Sequence, residues 1–389
     1  MKMIVALIVS AMITGCTTSP HKSPLPEATA IDAEATRLTK SENVQGMALA
    51  IIQDGKIVHV AAYGHRNVAR GLPLTTDTVM YGASLTKTAF TYMLLQLVDE
   101  GRLDLDASVA KLLPRPLPEY ASDDNNYTDL AGDERWRALT PRILLTHTSG
   151  FANFRWLEPD RRLRFHSQPG TRYGYSGEGF YILQLILEEG LGLDVGKEMQ
   201  TRVFDRFGMT NTSMTWRPDF AANLADGYAQ DGSMEPHDDR SSVSAAGSMD
   251  TSIADQARLW AGIVRGDGLS AASRAELVKP QVQITSAHQF PSLAPEIQPK
   301  NKEINLAAGL GLVTFQDMSG PAWFKGGHND WTGNMVICLE SGKRCLVMLA
   351  NDVRAERIYP AITRFVLGDT RMPWAWEYDW LDSPREGQP

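Results

Sequence analysis

The chain is predicted to fold as an α/β (α+β) protein, with an antiparallel sheet built from both chain ends, flanked by helices, and a mostly helical lobe between. Three observations predict it. Residues 46–52 are apolar and β-branched, Asp54-Gly55 supplies a turn that needs positive φ, and 57–63 return as a second strand. Residues 334–339 and 344–350 repeat that hairpin pattern near the other end, with 308–315 a further strand. From Ser84 the period changes. Leu85, Ala89 and Met93 recur every four residues, and Phe90, Leu94 and Leu97 widen the apolar face into a largely buried helix.

These elements divide the chain. Residues 30–108 and 300–370 form the α/β lobe, and 109–299 the helical lobe, with helices over 180–189, 196–207 and 253–264. Polar stretches at 123–134 and 286–303 read as loops. The tail, 371–389, carries Trp374, Trp376 and Trp380, which are expected to pack against the body.

Of the 389 residues, 43% are hydrophobic and 22% charged, the balance of a chain that buries a core. A net charge of -8 argues against nucleic-acid binding, which needs clustered Lys and Arg. Lys2, the apolar run from Ile4 to Ile13 and Ile13-Thr14-Gly15-Cys16 form a leader too short to span a bilayer. Residues 1–15 therefore read as a lipoprotein signal peptide, Cys16 as the lipidated residue and 16–29 as the tether. The expected location is the cell envelope, periplasm-facing and held to the membrane by the lipid alone. Thr17, not being acidic, favours the outer membrane if the cell is Gram-negative.

Cys338 and Cys345 flank a Ser341-Gly342 turn and would stand opposite each other across the hairpin. A cross-strand disulfide and a pair of packed thiols are both consistent with that placement.

Ser84-Leu85-Thr86-Lys87 puts a hydroxyl and an amine three residues apart on one helix face. A serine hydroxyl attacks only when a base takes its proton. A lysine serves if burial lowers its pKa. The competing reading is a serine that merely caps the helix. Ser19-Pro20-His21-Lys22 shows that the spacing alone is weak, since it recurs in the tether. Context comes from Tyr175-Ser176-Gly177 ahead of a helix, and from Lys325-Gly326-Gly327-His328-Asn329-Asp330 before the last hairpin.

In this order the motifs resemble the serine β-lactamase and penicillin-binding superfamily, and within it the class C-type branch of β-lactamases, D-peptidases and esterases. The likeness runs from residue 44 to 367 and includes Leu144-Leu145-Thr146-His147-Thr148-Ser149-Gly150 and Ala245-Ala246-Gly247-Ser248-Met249. The resemblance implies that Ser84 forms an acyl-enzyme while Lys87 and Tyr175 share the base and acid roles. It also implies an oxyanion hole from the Ser84 N–H and a second N–H on the strand after His328, near Trp331. His328, Asn329, Asp330, Trp331 and Gly177 are the candidate substrate-binding residues. His328 stands near the family's Lys or His before Thr-Gly; the other reading is a structural histidine, with Lys325-Gly326-Gly327 as the motif. Asp330 stands where the family has glycine. Gly177 replaces the asparagine whose amide would hold a substrate carbonyl, which weakens β-lactam and D-Ala-D-Ala chemistry and leaves ester hydrolysis open.

The expected activity is thus hydrolysis of an ester, amide or β-lactam bond in a small-molecule or peptidoglycan-like acyl substrate, without a cofactor and with esterase or peptidase-like action favoured. A non-catalytic envelope lipoprotein that binds peptidoglycan fragments or a partner is the alternative, kept open by Gly177 and Asp330. Oligomeric state is not legible. Gly82-Ala83-Ser84-Leu85-Thr86 lacks the last glycine of a nucleophile elbow. His237-Asp238-Asp239 has no second cluster to make a metal site, and Asp123-Asp124-Asn125-Asn126 lacks the glycine of a calcium loop. His147 is expected to brace the helical lobe.

Overall fold

The computed structural model describes residues 24–122 and 126–378. The leader, Cys16, Trp380 and most of the acidic Asp123 run lie outside the described residues. A nine-stranded antiparallel sheet organises the chain. Its strands are β1 (Gly46–Gln53), β2 (Lys56–Asn67), β3 (Leu72–Pro73), β4 (Val282–Gln283), β5 (Ala307–Ala308), β6 (Val313–Asp317), β7 (Gly320–Asn329), β8 (Thr332–Leu339) and β9 (Arg344–Ala350), in the order β3-β2-β1-β9-β8-β7-β6-β5-β4. β1 from one chain end pairs with β9 from the other, Met47 opposite Ala350 through Ile52 opposite Cys345.

Alternation sorts the central strands onto two cores. Ala48, Ala50, Ile52, Val347 and Leu349 join the core that holds helix α1 (Leu85–Asp99). Met47, Leu49, Ile51, Leu346 and Met348 join the other, with Ile362 and Val366 of α4 (Tyr359–Leu367) and Trp376 of the tail. Both faces of the central strands are covered, which is why residues 47–52 of β1 and 345–350 of β9 are apolar without a break rather than alternating.

Two helices lead away from or back to the sheet. Helix α2 (Glu178–Leu185) runs on into a π turn (Ile186–Gly190) in the helical lobe. Helix α3 (Ile253–Arg265) starts with a Ser252 cap on the Asp255 N–H and ends at left-handed Gly266. It packs across β1, β2 and β9. The stretch from 253, expected in the helical lobe, therefore belongs to the sheet, and β4 extends the sheet into the same stretch. An apolar helix stripe carries no label for the surface it will meet.

The single strand expected over 308–315 is two, β5 and β6, because the chain turns at Gly309–Leu312. Gly311, at φ 67°, rests on α1; an added Cβ would stand 2.2 Å from Thr91 Oγ1, and Thr88 donates to its carbonyl at 2.8 Å. In the last hairpin Cys338 and Cys345 are directly paired and disulfide-bonded, with Cα atoms 4.1 Å apart. No helix among the described residues is long and apolar enough to cross a membrane.

Candidate active site

Ser84 stands at the N-terminus of α1 but does not cap it; its own conformation is helical and its side chain accepts no cap bond. Ala83 before it holds a left-handed φ of 46°, rare for a side chain with a Cβ, in a turn pinned by Thr86 Oγ1 donating to the Ala83 carbonyl at 2.6 Å. The freed Ser84 hydroxyl accepts instead from Lys87 Nζ at 3.2 Å. Lys87 is fully buried and gives a second bond, 2.6 Å, to the Ala246 carbonyl. No carboxylate pairs with it among the described residues. Burial pulls its pKa down, Tyr175 holds it up and the Lys325 ammonium lowers it further.

Tyr175 comes from the turn before α2, where Gly177 holds the N-cap position and donates its N–H to Asn153, and Arg155 fastens the first turn. Arg155 reaches the fully buried Glu178 through its guanidinium (Nη2 to Oε2, 2.6 Å) and its backbone N–H (2.7 Å). The Tyr175 ring lies 5.1 Å from Lys87 Nζ and is stacked on His147 at 4.3 Å. His147 Nδ1 accepts from the Ser176 N–H at 3.1 Å, and burial with two nearby ammonium groups keeps the ring neutral, its pKa well below the ordinary value. His147 thus orients Tyr175 as well as tying Ser176 to its own turn.

The third side of the site is β7. Lys325 Nζ donates to the Tyr175 hydroxyl at 3.1 Å and to the Gly326 carbonyl at 2.8 Å. Its pKa falls to about 8 because burial outweighs the attraction of Glu377. An added Cβ on Gly327 would come within 3.0 Å of the backbone nitrogens of Ser84 and Leu85. The β7 backbone therefore presses against the start of α1, and glycine is what permits the approach.

His328 does not face Tyr175. Its Nδ1 lies 3.3 Å from Glu356 Oε1, and its ring meets Phe290 and Tyr378. Burial opposes its charge, but Glu356 and Glu377 prevail and raise its pKa. The Trp331 N–H, considered above for the oxyanion hole, donates to Asn329 Oδ1 at 3.0 Å. Trp331 sits in the turn joining β7 to β8, beside exposed Asp330. With Asn329 it lines a cavity of about 420 Å³ that Tyr81, His237 and Arg240 also line. His237 itself stands 3.1 Å from Asp250. Gly177 lies against Phe154, whose ring fills the space a side chain there would need.

Three contributors escaped the sequence. Phe290 packs edge-on against both Tyr175 (5.2 Å) and His328 (5.5 Å) from a loop without periodicity. The Ala246 carbonyl is a backbone group, invisible as a residue type. Glu377, in the tail, is buried beside β7.

A seryl hydroxyl, a dry amine, a phenol and a second lysine thus converge at one place, a set of groups suited chemically to acyl transfer. The profile of the β-lactamase family matches residues 31–367. The chain belongs to that family, within the β-lactamase and penicillin-binding superfamily of serine hydrolases, and has its mixed architecture. Among curated proteins it is 30% identical over 202 residues to a lovastatin esterase of Penicillium rubens, covering 44% of this chain and 49% of that protein. It is 29% identical over 174 residues to a D-aminopeptidase of Gluconobacter oxydans, covering 42% and 31%. The matched region spans half or less of those relatives' length. The crystal structure of the D-alanine carboxypeptidase AmpC from Burkholderia cenocepacia superposes with a TM-score of 0.67 over 86% of this chain and 99% of that one, at 20% identity, a likeness of fold.

Proposed function

We propose that the protein is an acyl-enzyme hydrolase with Ser84 as nucleophile and esters as its favoured substrates. The observation that carries this is Lys87: a fully buried amine with no carboxylate partner among the described residues, aimed at a hydroxyl that leaves its helix uncapped. A binding protein has no use for so costly an arrangement.

In the proposed cycle Ser84 Oγ bonds to the substrate acyl carbon as its proton passes toward Lys87 and Tyr175. The Ser84 N–H and an N–H of β7, at His328, receive the oxyanion. Collapse breaks the bond to the leaving group, which takes the proton back, and leaves the acyl group on Ser84. Water then repeats the attack, helped by the same two groups. Lys325 fills the role of the cation before the strand glycine, orienting the Tyr175 oxygen and stabilising negative charge that develops on it. The ester preference rests on Phe154: its ring occupies the place of the amide that would hold a lactam or peptide carbonyl. Phe154 is stacked on Trp156 at 4.2 Å, and that aromatic surface suits an apolar acyl or alcohol group. The esterase among the relatives supports the same reading. The Ile13-Thr14-Gly15-Cys16 leader supports lipid anchoring in the envelope, which loss of radiolabelled palmitate from a Cys16→Ala protein would test.

The deciding experiment is intact-mass labelling with a fluorophosphonate and, separately, a penicillin, on wild type and Ser84→Ala. One fluorophosphonate adduct on wild type and none on the variant is expected. An unlabelled wild type would sink the proposal, and rapid penicillin acylation would overturn the ester preference.

A further inference from the structure

The match to the family ends at residue 367, and the chain continues over the surface to a short helix, α5 (Trp374–Glu377). Trp376 and Tyr378 are buried in the core on that side of the sheet, and between them Glu377 is only 4% exposed. A carboxylate is seldom buried without a partner, since desolvation penalises its charge. Among the described residues the Glu377 carboxylate accepts one hydrogen bond, from Gln289 Nε2 at 2.6 Å in the loop above, and its Oε1 accepts none.

That unoccupied oxygen points at β7. A Cβ on Gly326 would stand 2.0 Å from it, so the carboxylate occupies the volume a side chain at 326 would claim. Any residue but glycine there expels Glu377. Gly326 sits between Lys325, which touches Tyr175, and Gly327, whose backbone abuts the Ser84 nitrogen. The charged or titratable groups facing Glu377 are Lys325 and His328 on β7, Glu356 in the turn before α4, and Tyr173 and Tyr378. Lys325 and Glu377 are not in direct contact, so their attraction acts across a dry gap, where charges are poorly screened.

We infer that Glu377 is a positioning residue for the Ser84 chemistry: the C-terminal segment delivers its carboxylate behind Gly326, where it keeps Lys325 an ammonium directed at Tyr175. The tail is then part of the active site's support rather than a surface appendage. This rests on the reading of Ser84 as nucleophile.

Burial alone would strip the proton from Lys325, and Glu377 opposes that. Burial also raises Glu377 itself, to about 7, with Lys325 and His328 working against the rise. Removing the carboxylate lets Lys325 lose its proton at lower pH.

The test is the pH dependence of kcat/KM for a nitrophenyl ester in full-length wild type, Glu377→Gln, Glu377→Asp and Gln289→Met. In Glu377→Gln the alkaline limb should move down by about one pH unit, with kcat/KM falling about threefold at pH 7.5 and approaching about tenfold by pH 9, mostly in kcat. Glu377→Asp should recover part of the shift. Gln289→Met, which loosens the carboxylate, should move the limb the same way by less. In a Lys325→Met background Glu377→Gln should have no further effect. A Glu377→Gln enzyme with the wild-type alkaline limb overturns the inference, as does a loss of activity that tracks lowered Tm while the limb stays put. Should Glu377→Gln not fold, Gln289→Met decides by the same limb. Labelling of wild-type Ser84 separates the two ideas: without it the nucleophile reading fails, and with it an unmoved limb condemns only the role of Glu377.

Discussion

A β-carbon placed on Gly177 would stand 2.1 Å from Cε1 of Phe154. The two residues are 23 apart in sequence yet form one unit, an absent side chain and the ring that fills its place. Gly177→Asn should therefore overpack the turn and cost about 1–3 kcal/mol of stability. Gly177→Asn with Phe154→Ala should regain most of that and raise acylation by a chromogenic cephalosporin. Urea melts and stopped-flow acylation would check both. A Gly177→Asn protein as stable as wild type would mean that the ring moves freely and does not set substrate preference.

Ser84→Ala should lower ester turnover by at least about 10⁴-fold, the scale seen when a nucleophile is removed. Lys87→Met should cost about 10²–10⁴-fold, the usual contribution of a positioned base. It should also raise Tm at neutral pH, because a buried amine is replaced by an apolar chain of similar length. Calorimetry settles this, and a Lys87→Met protein less stable than wild type would contradict the account of its burial.

The pH dependence has two sides. Lys87 is depressed in the folded protein relative to the unfolded chain. The unfolded state then binds more protons between the two values, so stability rises with pH across that interval and the burden is greatest below it. The Tm advantage of Lys87→Met should accordingly shrink as pH rises from neutral toward 10. For activity, kcat/KM should climb as Lys87 gives up its proton and fall as Lys325 does, near pH 8. In Lys325→Met the upper limb should vanish, and a retained limb near 8 would assign it elsewhere.

Arg155→Met should destabilise the fold by about 3 kcal/mol, because it leaves a buried carboxylate, Glu178, without its cation. Glu178 opens the helix that follows Tyr175, so ester kcat should also drop. Replacing both partners, Arg155→Met with Glu178→Gln, should be milder than the single change. Chemical denaturation of the three proteins tests this, and a neutral single variant would show that the pair is dispensable.

Local rules made much of this chain readable from its residues. Apolar, β-branched runs around Asp54-Gly55 and Ser341-Gly342 mark two hairpins, and with them the opposition of Cys338 and Cys345, since turn length sets register. Four-residue spacing marks α1 and puts Ser84 and Lys87 on one face. Such features depend on neighbours in sequence, and so survive without knowledge of the rest. Other matters were settled only by the tertiary structure. Whether Lys325 or His328 meets Tyr175 turns on which side chain of β7 reaches across to the cleft once the sheet is assembled. Whether the Ser84 hydroxyl caps its helix or meets Lys87 depends on that amine being buried, which takes the Ala246 carbonyl from 159 residues away. Phe154 against Gly177, Phe290 over Tyr175 and Glu377 behind Gly326 are meetings of distant segments. Burial and electrostatic environment belong to the packed assembly, and no spacing along the chain encodes them.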